Sequence, residues 1–442
     1  MRPSPGKAPE LPPVTDDLVR ETRTYQFLTP VFGGGVKLPA DGSVGTKDID
    51  PITPVRVPSI RGQLRFWWRA VNPRGCKTVE ELYQAETEIF GGLQWKDPKD
   101  GPNAKGKVRR SALEIHVAKQ PGTASALEVF VPGERFHLQQ GMDAIAYAAF
   151  PLRGSDRDHP LHGTLHDYKK QQFQLEFTYP KHVVTAGEEK REIERDIRSA
   201  LWAWATFGGL GGRTRRGFGA IADVTDPAVV AGLDEGWREY VTGLDVPWPH
   251  LPPHGSKRLA TASADDGVSA LKNLLGKFKA LRQSGGLGRN RGKDRLGRSF
   301  WPEPDAIRKL TGRTAPAHSE RMTEVDAFPR AAFGMPIIFH FKDRLDPGDT
   351  TLQPAGKDLD RFASPLVLRP YRDPSQGKVS AMAVELRSRI PEAELKGFGP
   401  VATSVSEADA RGMKRPPDAR ERFPKMFHDP VGAYLDLLED KS

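Results

Sequence analysis

Apolar residues recur every three or four positions in several parts of the chain, which is the period of a helix with one buried face. Residues 58–71 show the pattern most clearly, with Ser59 placed to cap the first turn. The apolar face of that segment consists of Ile60, Leu64, Trp67, Trp68 and Val71. The same period predicts helices over residues 79–90, 192–207 and 269–282.

Aromatic, β-branched and alternating runs predict strands between these helices. They cover residues 23–32, 113–118, 173–179, 220–224, 333–341, 365–370 and 379–387. The first half then reads strand, helix, strands, helix, strand, which is the order of a ferredoxin-like or RNA-recognition-type unit. We therefore predict an α+β fold with two ferredoxin-like domains and long loop insertions.

Composition shifts along the chain suggest where these domains begin and end. Residues 1–20 are proline-rich and lack the apolar core of a signal peptide, so they are predicted to be a disordered leader. Residues 21–226 form the predicted first domain, and residues 269–442 the second. Residues 227–268 include the stiff run PWPHLPP and are predicted to be a linker region, with residues 262–267 as loop.

Charge changes the interpretation of the first helix. Arg61, Arg65 and Arg69 recur every four residues, and residues 58–71 include no acidic residue. A rise of 1.5 Å per residue spaces these guanidinium groups about 6 Å apart, a step that suits successive phosphates of one strand. With a formal net charge of +9, the chain is expected to have a polyanionic partner. A helix whose arginines are simply solvated is the alternative.

A second basic segment follows the helix over residues 192–207. Its sequence is GGLGGRTRRGFG, residues 208–219, and it leads into a predicted strand. The glycines would let backbone amides face a phosphate, Arg213, Arg215 and Arg216 supply charge, and Phe218 is placed to stack on a base. A glycine helix cap with a solvated turn, and a buried Phe218, are the alternatives. A nucleotide-phosphate loop would need lysine where Arg213 stands, and a dinucleotide fingerprint opens a helix after a strand instead of following one.

The sequence does not favour a metal site, disulfide bonds or a membrane span. His159, His162 and His166 lie close together, but no second type of metal ligand accompanies them, so we interpret them as solvated loop histidines. Cys76 is the single cysteine, which excludes a disulfide framework or a cysteine zinc site and fits a reducing cytoplasm. No apolar run approaches the length of a membrane span. No cofactor is predicted.

Several motifs together resemble the first subunits of the Cmr complex, the CRISPR type III-B effector, which belong to the RAMP superfamily. The resemblance extends roughly from residue 25 to residue 370. The motifs are FGGG at 32–35, PSIRGQLRFWWR at 58–69, IFGG at 89–92, GLGGRTRRGFG at 209–219, RSFWPEPD at 298–305, FPRAAFG at 328–334 and SPLVLRP at 364–370. The second glycine stretch, residues 286–288, lacks the closing glycine-hydrophobic-glycine.

The resemblance implies two ferredoxin-like domains and a non-catalytic role in antiviral defence. Such a subunit holds the 3′ region of the guide RNA and the paired target RNA through backbone contacts, beside the other backbone and small subunits of the complex. Together with the two basic segments, it assigns RNA contact to Phe32, Gly33, Gly34, Gly35, Arg56, Arg61, Arg65, Trp67, Trp68, Arg69, Gly212, Arg213, Arg215, Arg216, Phe218, Arg295 and Arg298.

Two other functions stay open at this point. A RAMP-type endoribonuclease that processes guide RNA without a metal would need a general acid or base, for which His116, His182 or Tyr25 is available. Alternatively, the basic surfaces dock other proteins and RNA is bound elsewhere.

Overall fold

The computed structural model describes residues 17–33, 54–93, 108–131, 137–153, 164–184, 189–291, 297–356, 359–413, 419 and 422–440. Over these ranges the chain combines helices with antiparallel sheets, which confirms the predicted α+β class.

The elements are numbered in chain order. The strands are β1 (Leu18–Phe27), β2 (Gly92–Leu93), β3 (Val108–Arg109), β4 (Glu114–Lys119), β5 (Ser125–Leu127), β6 (Leu165–Asp167), β7 (Gln172–Pro180), β8 (His182–Val184), β9 (Lys190–Glu192), β10 (Ile221–Asp223), β11 (Leu259–Ala264), β12 (Ile337–Phe339), β13 (Thr350–Pro354), β14 (Leu366–Arg372), β15 (Val379–Glu385), β16 (Ala393–Leu395) and β17 (Gly399–Val401). The helices are α1 (Val57–Val71), α2 (Val79–Phe90), α3 (Asp143–Ala149), α4 (Glu194–Phe207), α5 (Leu233–Tyr240), α6 (Gly267–Gln283), α7 (Glu303–Thr311), α8 (Glu407–Gly412), α9 (Lys425–His428) and α10 (Pro430–Glu439).

The first sheet has the order β10-β1-β7-β4, and every neighbouring pair is antiparallel. Helix α1 lies between β1 and β4 in the chain, and α4 lies between β7 and β10, so the principal elements follow the predicted order. The two helices pack on each other, and the Trp68 indole donates a 2.9 Å hydrogen bond to Asp196 on α4. The aromatic residues of α1 and α4 therefore belong to the core beneath this sheet.

The second sheet has the order β11-β15-β14, with three strands among the described residues. Leu366 and Leu368 on β14 pack into the same core as α6 and α10, whereas Val367 and Tyr371 pack into the core of the first sheet. The second sheet is thus covered on both faces. Strand β11 corrects the prediction of loop over residues 262–267, because its small side chains fit closely against β15, with Ala260 opposite Ala383.

A third, smaller sheet has the order β12-β13-β16-β17 and its own apolar cluster. The strand predicted over residues 333–341 is only partly formed, and its formed part belongs to this sheet. Residues Pro329–Phe333 form a 3-10 turn and only Ile337–Phe339 form a strand. Pro336 cannot donate a ladder hydrogen bond, and Gly334 has a φ of 106°, so the chain turns before the strand begins.

Ser59 does not cap the first helix. Helix α1 begins at Val57 after Arg56, no side chain caps it, and Pro58 lies in its first turn. Proline suits that turn because the missing N–H has no acceptor inside the helix there.

Arg369 connects the second sheet to the first. Its side chain on β14 is fully buried and donates to the carbonyl oxygens of Ala205 and Ile221, at 2.5 Å to Ala205. Ala205 is in the last turn of α4, where carbonyl groups lack donors within the helix and attract positive charge. Burial lowers the pKa of Arg369 to about 9.

We expect Arg369→Met to reduce the free energy of unfolding by roughly 2 to 5 kcal/mol, because two buried carbonyl oxygens lose their donors while the apolar stem is kept. Urea denaturation measures this loss. Arg389→Met is the matched control, since Arg389 is exposed. Equal stability of the two variants would contradict a connecting role for Arg369.

Candidate nucleic-acid interface

Backbone hydrogen bonds join the two ends of the glycine-rich loop after α4 and tie it to the segment after β1. Leu210 N–H donates to the Gly219 carbonyl at 2.9 Å, and Gly219 N–H donates to the Pro30 carbonyl at 2.8 Å. A Cβ on Gly219, whose φ is 62°, would lie 1.9 Å from the Leu210 oxygen, so only glycine fits. The amides of Gly212, Arg216 and Gly217 also donate to carbonyl groups. These amides therefore do not face a phosphate as predicted, and the glycines serve close packing.

The side chains of Arg215 and Arg216 point toward β14 and the residues just before it. Arg215 donates to the Ser364 carbonyl at 2.7 Å, with its guanidinium 5.0 Å from the Phe66 ring centroid. Arg216 is half-buried and donates to the Leu366 carbonyl at 3.0 Å. Leu368 N–H donates in turn to the Arg215 carbonyl, so the loop lies along β14. Burial lowers the pKa of Arg216 to about 10, and it remains a cation at neutral pH.

A groove of about 870 Å³ opens beside this loop. Four arginines line it: Arg213 and Arg216 from the loop, Arg282 from the last turn of α6, and Arg361 from the segment before β14. The rest of the lining is mainly apolar and comes from residues 146–148, 150–151, 278, 283, 333–338 and 362–364. Among the described residues the lining includes no aspartate, glutamate or histidine.

Arg216 and Arg282 are the two most deeply buried of the four groove arginines. Both guanidinium groups lie against the Phe278 ring, at 4.9 Å for Arg216 and 5.6 Å for Arg282. Burial lowers the pKa of Arg282, and its Nε is buried with no hydrogen-bond partner among the described residues. The neighbouring carboxylate Glu303 is already paired with Arg330 at 3.2 Å. Two adjacent cations thus share an apolar ring and lack an ion-paired counter-charge.

The arginine stripe of α1 has a different environment, which corrects the prediction of an anion-binding face. Arg65 and Arg69 both donate to the Glu86 carboxylate, at 2.5 and 2.6 Å, and the Glu86 side chain is only 4 % exposed. Arg61 donates to the Ser111 hydroxyl at 2.6 Å and to the Leu113 carbonyl at 3.2 Å. The carboxylate that pairs with Arg65 and Arg69 comes from α2, outside residues 58–71, so the sequence of the helix alone did not reveal it. None of the three arginines lines the groove.

The aromatic residues assigned to RNA are buried, which confirms the alternative of a buried Phe218 and the core position that the apolar spacing gives Trp67 and Trp68. Trp68 and Phe218 have no exposed surface, and Trp67 is 2 % exposed. Phe32 is 8 % exposed and supports the Arg213 guanidinium, which lies 5.4 Å from its ring centroid. These rings pack because their helical or loop spacing directs them into the two main cores.

The remaining predicted residues are dispersed. Arg298 is paired with Asp305 at 2.8 Å, which removes it as a free phosphate ligand. Arg56 precedes α1 and does not line the groove. Gly33 has a φ of 50°, and the Phe32 carbonyl accepts from Gly212 N–H. Gly34, Gly35 and Arg295 lie outside the described residues.

The groups proposed for catalysis or metal binding do not gather in the groove. Tyr25 is fully buried, and His116 and His182 are exposed on β4 and β8. His159 and His162 lie outside the described residues, and His166 bonds through its backbone to Val31. Over the described ranges no cluster of three potential ligands could hold a metal ion. No helix in those ranges is long and apolar enough to cross a membrane.

Sequence reasoning missed Arg282, Arg361 and the exposed Phe150. Arg282 occupies the last turn of a correctly predicted helix, directly before the second glycine stretch, and that position was the available signal. Arg361 and Phe150 are far apart in the chain and are brought to the groove only by tertiary packing.

Residues 24–222 match the family model described as "RAMP superfamily". They include α1, β4, β7, α4 and the glycine-rich loop, with parts of β1 and β10. No curated protein matches the chain in sequence.

Among solved structures, two chains from cryo-EM structures of the type III-B Cmr-beta complex bound to cognate target RNA show a likeness. One has 11% identity and a TM-score of 0.41, covering 90% of this chain and 98% of its own. The other has 13% identity and a TM-score of 0.43, covering 96% and 99%. Cmr6 from Pyrococcus furiosus has 13% identity and a TM-score of 0.21, covering 47% and 98%.

We expect Arg65→Met/Arg69→Met to lower the free energy of unfolding by about 1–3 kcal/mol, because the buried Glu86 carboxylate loses both charged donors. RNA affinity at fixed salt should fall no further than in Arg20→Met/Arg389→Met, which removes the same charge from two exposed positions. Chemical denaturation and filter binding measure the two quantities. A specific loss of RNA affinity at full stability would restore the stripe as a binding face.

Proposed function

We propose that this chain is an RAMP-superfamily protein that binds RNA in the arginine groove. The observation that carries the proposal is the groove lining, with four arginines and no described carboxylate. Half-buried cations without counter-ions are costly, and an entering phosphate relieves that cost while releasing its own counter-ions. Arginine suits this role because its planar fork donates two hydrogen bonds to one phosphate.

The wider assembly is part of the same proposal. The family match over residues 24–222 and the sequence motifs from residue 25 to residue 370 support a subunit of a type III-B CRISPR effector. We place it as the first subunit, with two ferredoxin-like units, holding the 3′ region of the guide RNA and the paired target RNA. Other Cmr subunits would be its protein partners. In such machines base pairing reads the sequence, so arginines that contact only phosphates are sufficient.

Binding without cleavage is favoured by the chemistry of the lining. Metal-independent cleavage needs a positioned acid and base, most often histidine. The described lining offers arginines, apolar groups, a serine, a glutamine and Tyr147. Histidine, aspartate and glutamate, the usual acids and bases of such chemistry, are absent from the described lining. The lining therefore supports a holding role better than the endoribonuclease alternative.

We expect Arg213→Ala/Arg361→Ala to weaken RNA binding about ten- to a hundredfold at roughly 0.1 M salt, because two exposed phosphate ligands are lost. The plot of log affinity against log salt should become shallower by about 1.4 on single-stranded RNA, about 0.7 for each phosphate contact. Filter binding at several salt concentrations measures both.

Arg20→Ala/Arg389→Ala is the matched control for this pair, since it removes two exposed arginines that do not line the groove. This control variant should retain most of the RNA affinity of the unaltered chain and most of its salt dependence. Equal effects in the two double variants would show that the groove contributes only net charge, and the proposal would fail.

We expect the purified chain to leave labelled repeat RNA intact in the presence of a chelator. Gel electrophoresis over several hours measures this. A defined product that disappears in His116→Ala or His182→Ala would instead support the endoribonuclease.

A further inference from the structure

Phe150 is exposed at the edge of the arginine groove. Its side chain follows α3 in the 3-10 turn Phe150–Leu152, and 56 % of the residue is accessible. Ile338, on the segment that also lines the groove, is 59 % accessible. Most other aromatic residues of the described chain are buried, so an open phenylalanine ring beside four arginines requires an explanation.

The ring is held in place although it is exposed. Leu152 in the same turn and Ala149 at the end of α3 are fully buried in the core that α6 shares. Tyr147 on α3 packs edge-on against Phe278, the ring that supports Arg216 and Arg282. The Arg153 guanidinium lies 4.7 Å from the Phe150 ring centroid. The turn therefore presents an anchored ring whose position is fixed relative to the groove arginines.

We infer that Phe150 is a stacking platform for an unpaired base, so that the groove prefers single-stranded RNA to duplex RNA. Grooves for single strands combine cations that follow the backbone with aromatic rings on which bases stack. Within a duplex the bases stack on each other and do not offer a face to the ring. This inference rests on the proposed function and assigns to the groove the unpaired part of the RNA that the chain would hold, not its paired part.

A protein partner is the other occupant that an exposed ring would suit. The charges favour RNA, because an apolar protein contact would have to cover Arg213 and Arg361 as well, and both are exposed without a described carboxylate in the groove. A nucleotide satisfies both features at once, with the base on the ring and the phosphates on the arginines.

The test compares a single strand of oligouridine, about 12 nucleotides long, with a fully paired RNA duplex of the same length. Phe150→Ala should weaken binding of the single strand about five- to 150-fold, the effect expected for one lost stack, and should leave duplex binding within about twofold. The salt dependence should keep its slope, since no charge is removed. Phe150→Trp should retain binding of the single strand. Phe398→Ala is the matched control, because Phe398 is 48 % exposed and does not line the groove.

Equal losses on both RNAs, or no loss on the single strand, would overturn the inference. Failure of the inference is distinguishable from failure of the proposed function. If Arg213→Ala/Arg361→Ala weakens binding and Phe150→Ala does not, RNA binding stands and the stacking platform is wrong. If neither variant differs from its control, the groove is not the RNA site and both proposals are wrong.

Discussion

The groove depends on the packing of the glycine-rich loop along strand β14. Leu368 donates its backbone N–H to the Arg215 carbonyl, and the Arg216 side chain donates to the Leu366 carbonyl. Gly217 lies so close to Leu271 and to the Leu368 carbonyl that a Cβ would not fit there. This contact holds the loop of the first sheet beside α6 of the second. Without it Arg213 and Arg216 would not lie next to Arg282 and Arg361.

The distribution of counter-charges separates structural arginines from arginines available to a ligand. Arg65 and Arg69 share Glu86, Arg298 is paired with Asp305, and Arg330 with Glu303. The buried carboxylates in these contacts fix the position of their helices, and each of them offsets one positive charge beside it. The groove arginines lack such partners among the described residues, so their charge is available to an anion. The positive net charge of the sequence therefore indicated a polyanion but not where it binds.

The sequence predictions that the structure confirms are those that depended on the local spacing of apolar residues. Helix α2 was predicted at its observed bounds, and α4 and α6 within two residues, because apolar spacing and glycine ends determine them. The same spacing implied that Trp67 and Trp68 belong in the core. Predictions that needed tertiary information failed. Glu86 neutralises Arg65 from a separate helix, and Phe150 reaches the groove through α3, a helix whose packing partner α6 lies more than a hundred residues later.

Arg369 and Arg216 show why burial of a cation is not by itself a sign of function. Burial lowers the pKa of both, and neither has a carboxylate partner among the described residues. Arg369 has no exposed surface and donates to two carbonyl groups in a closed core, so its hydrogen bonds are used in joining the sheets. Arg216 borders the groove beside Arg282 and Arg213, and two like charges raise the local potential where solvent enters. A buried arginine is a candidate phosphate ligand when its side chain borders a solvent-filled cavity with positive potential. Arg216 borders such a cavity, and Arg369 does not.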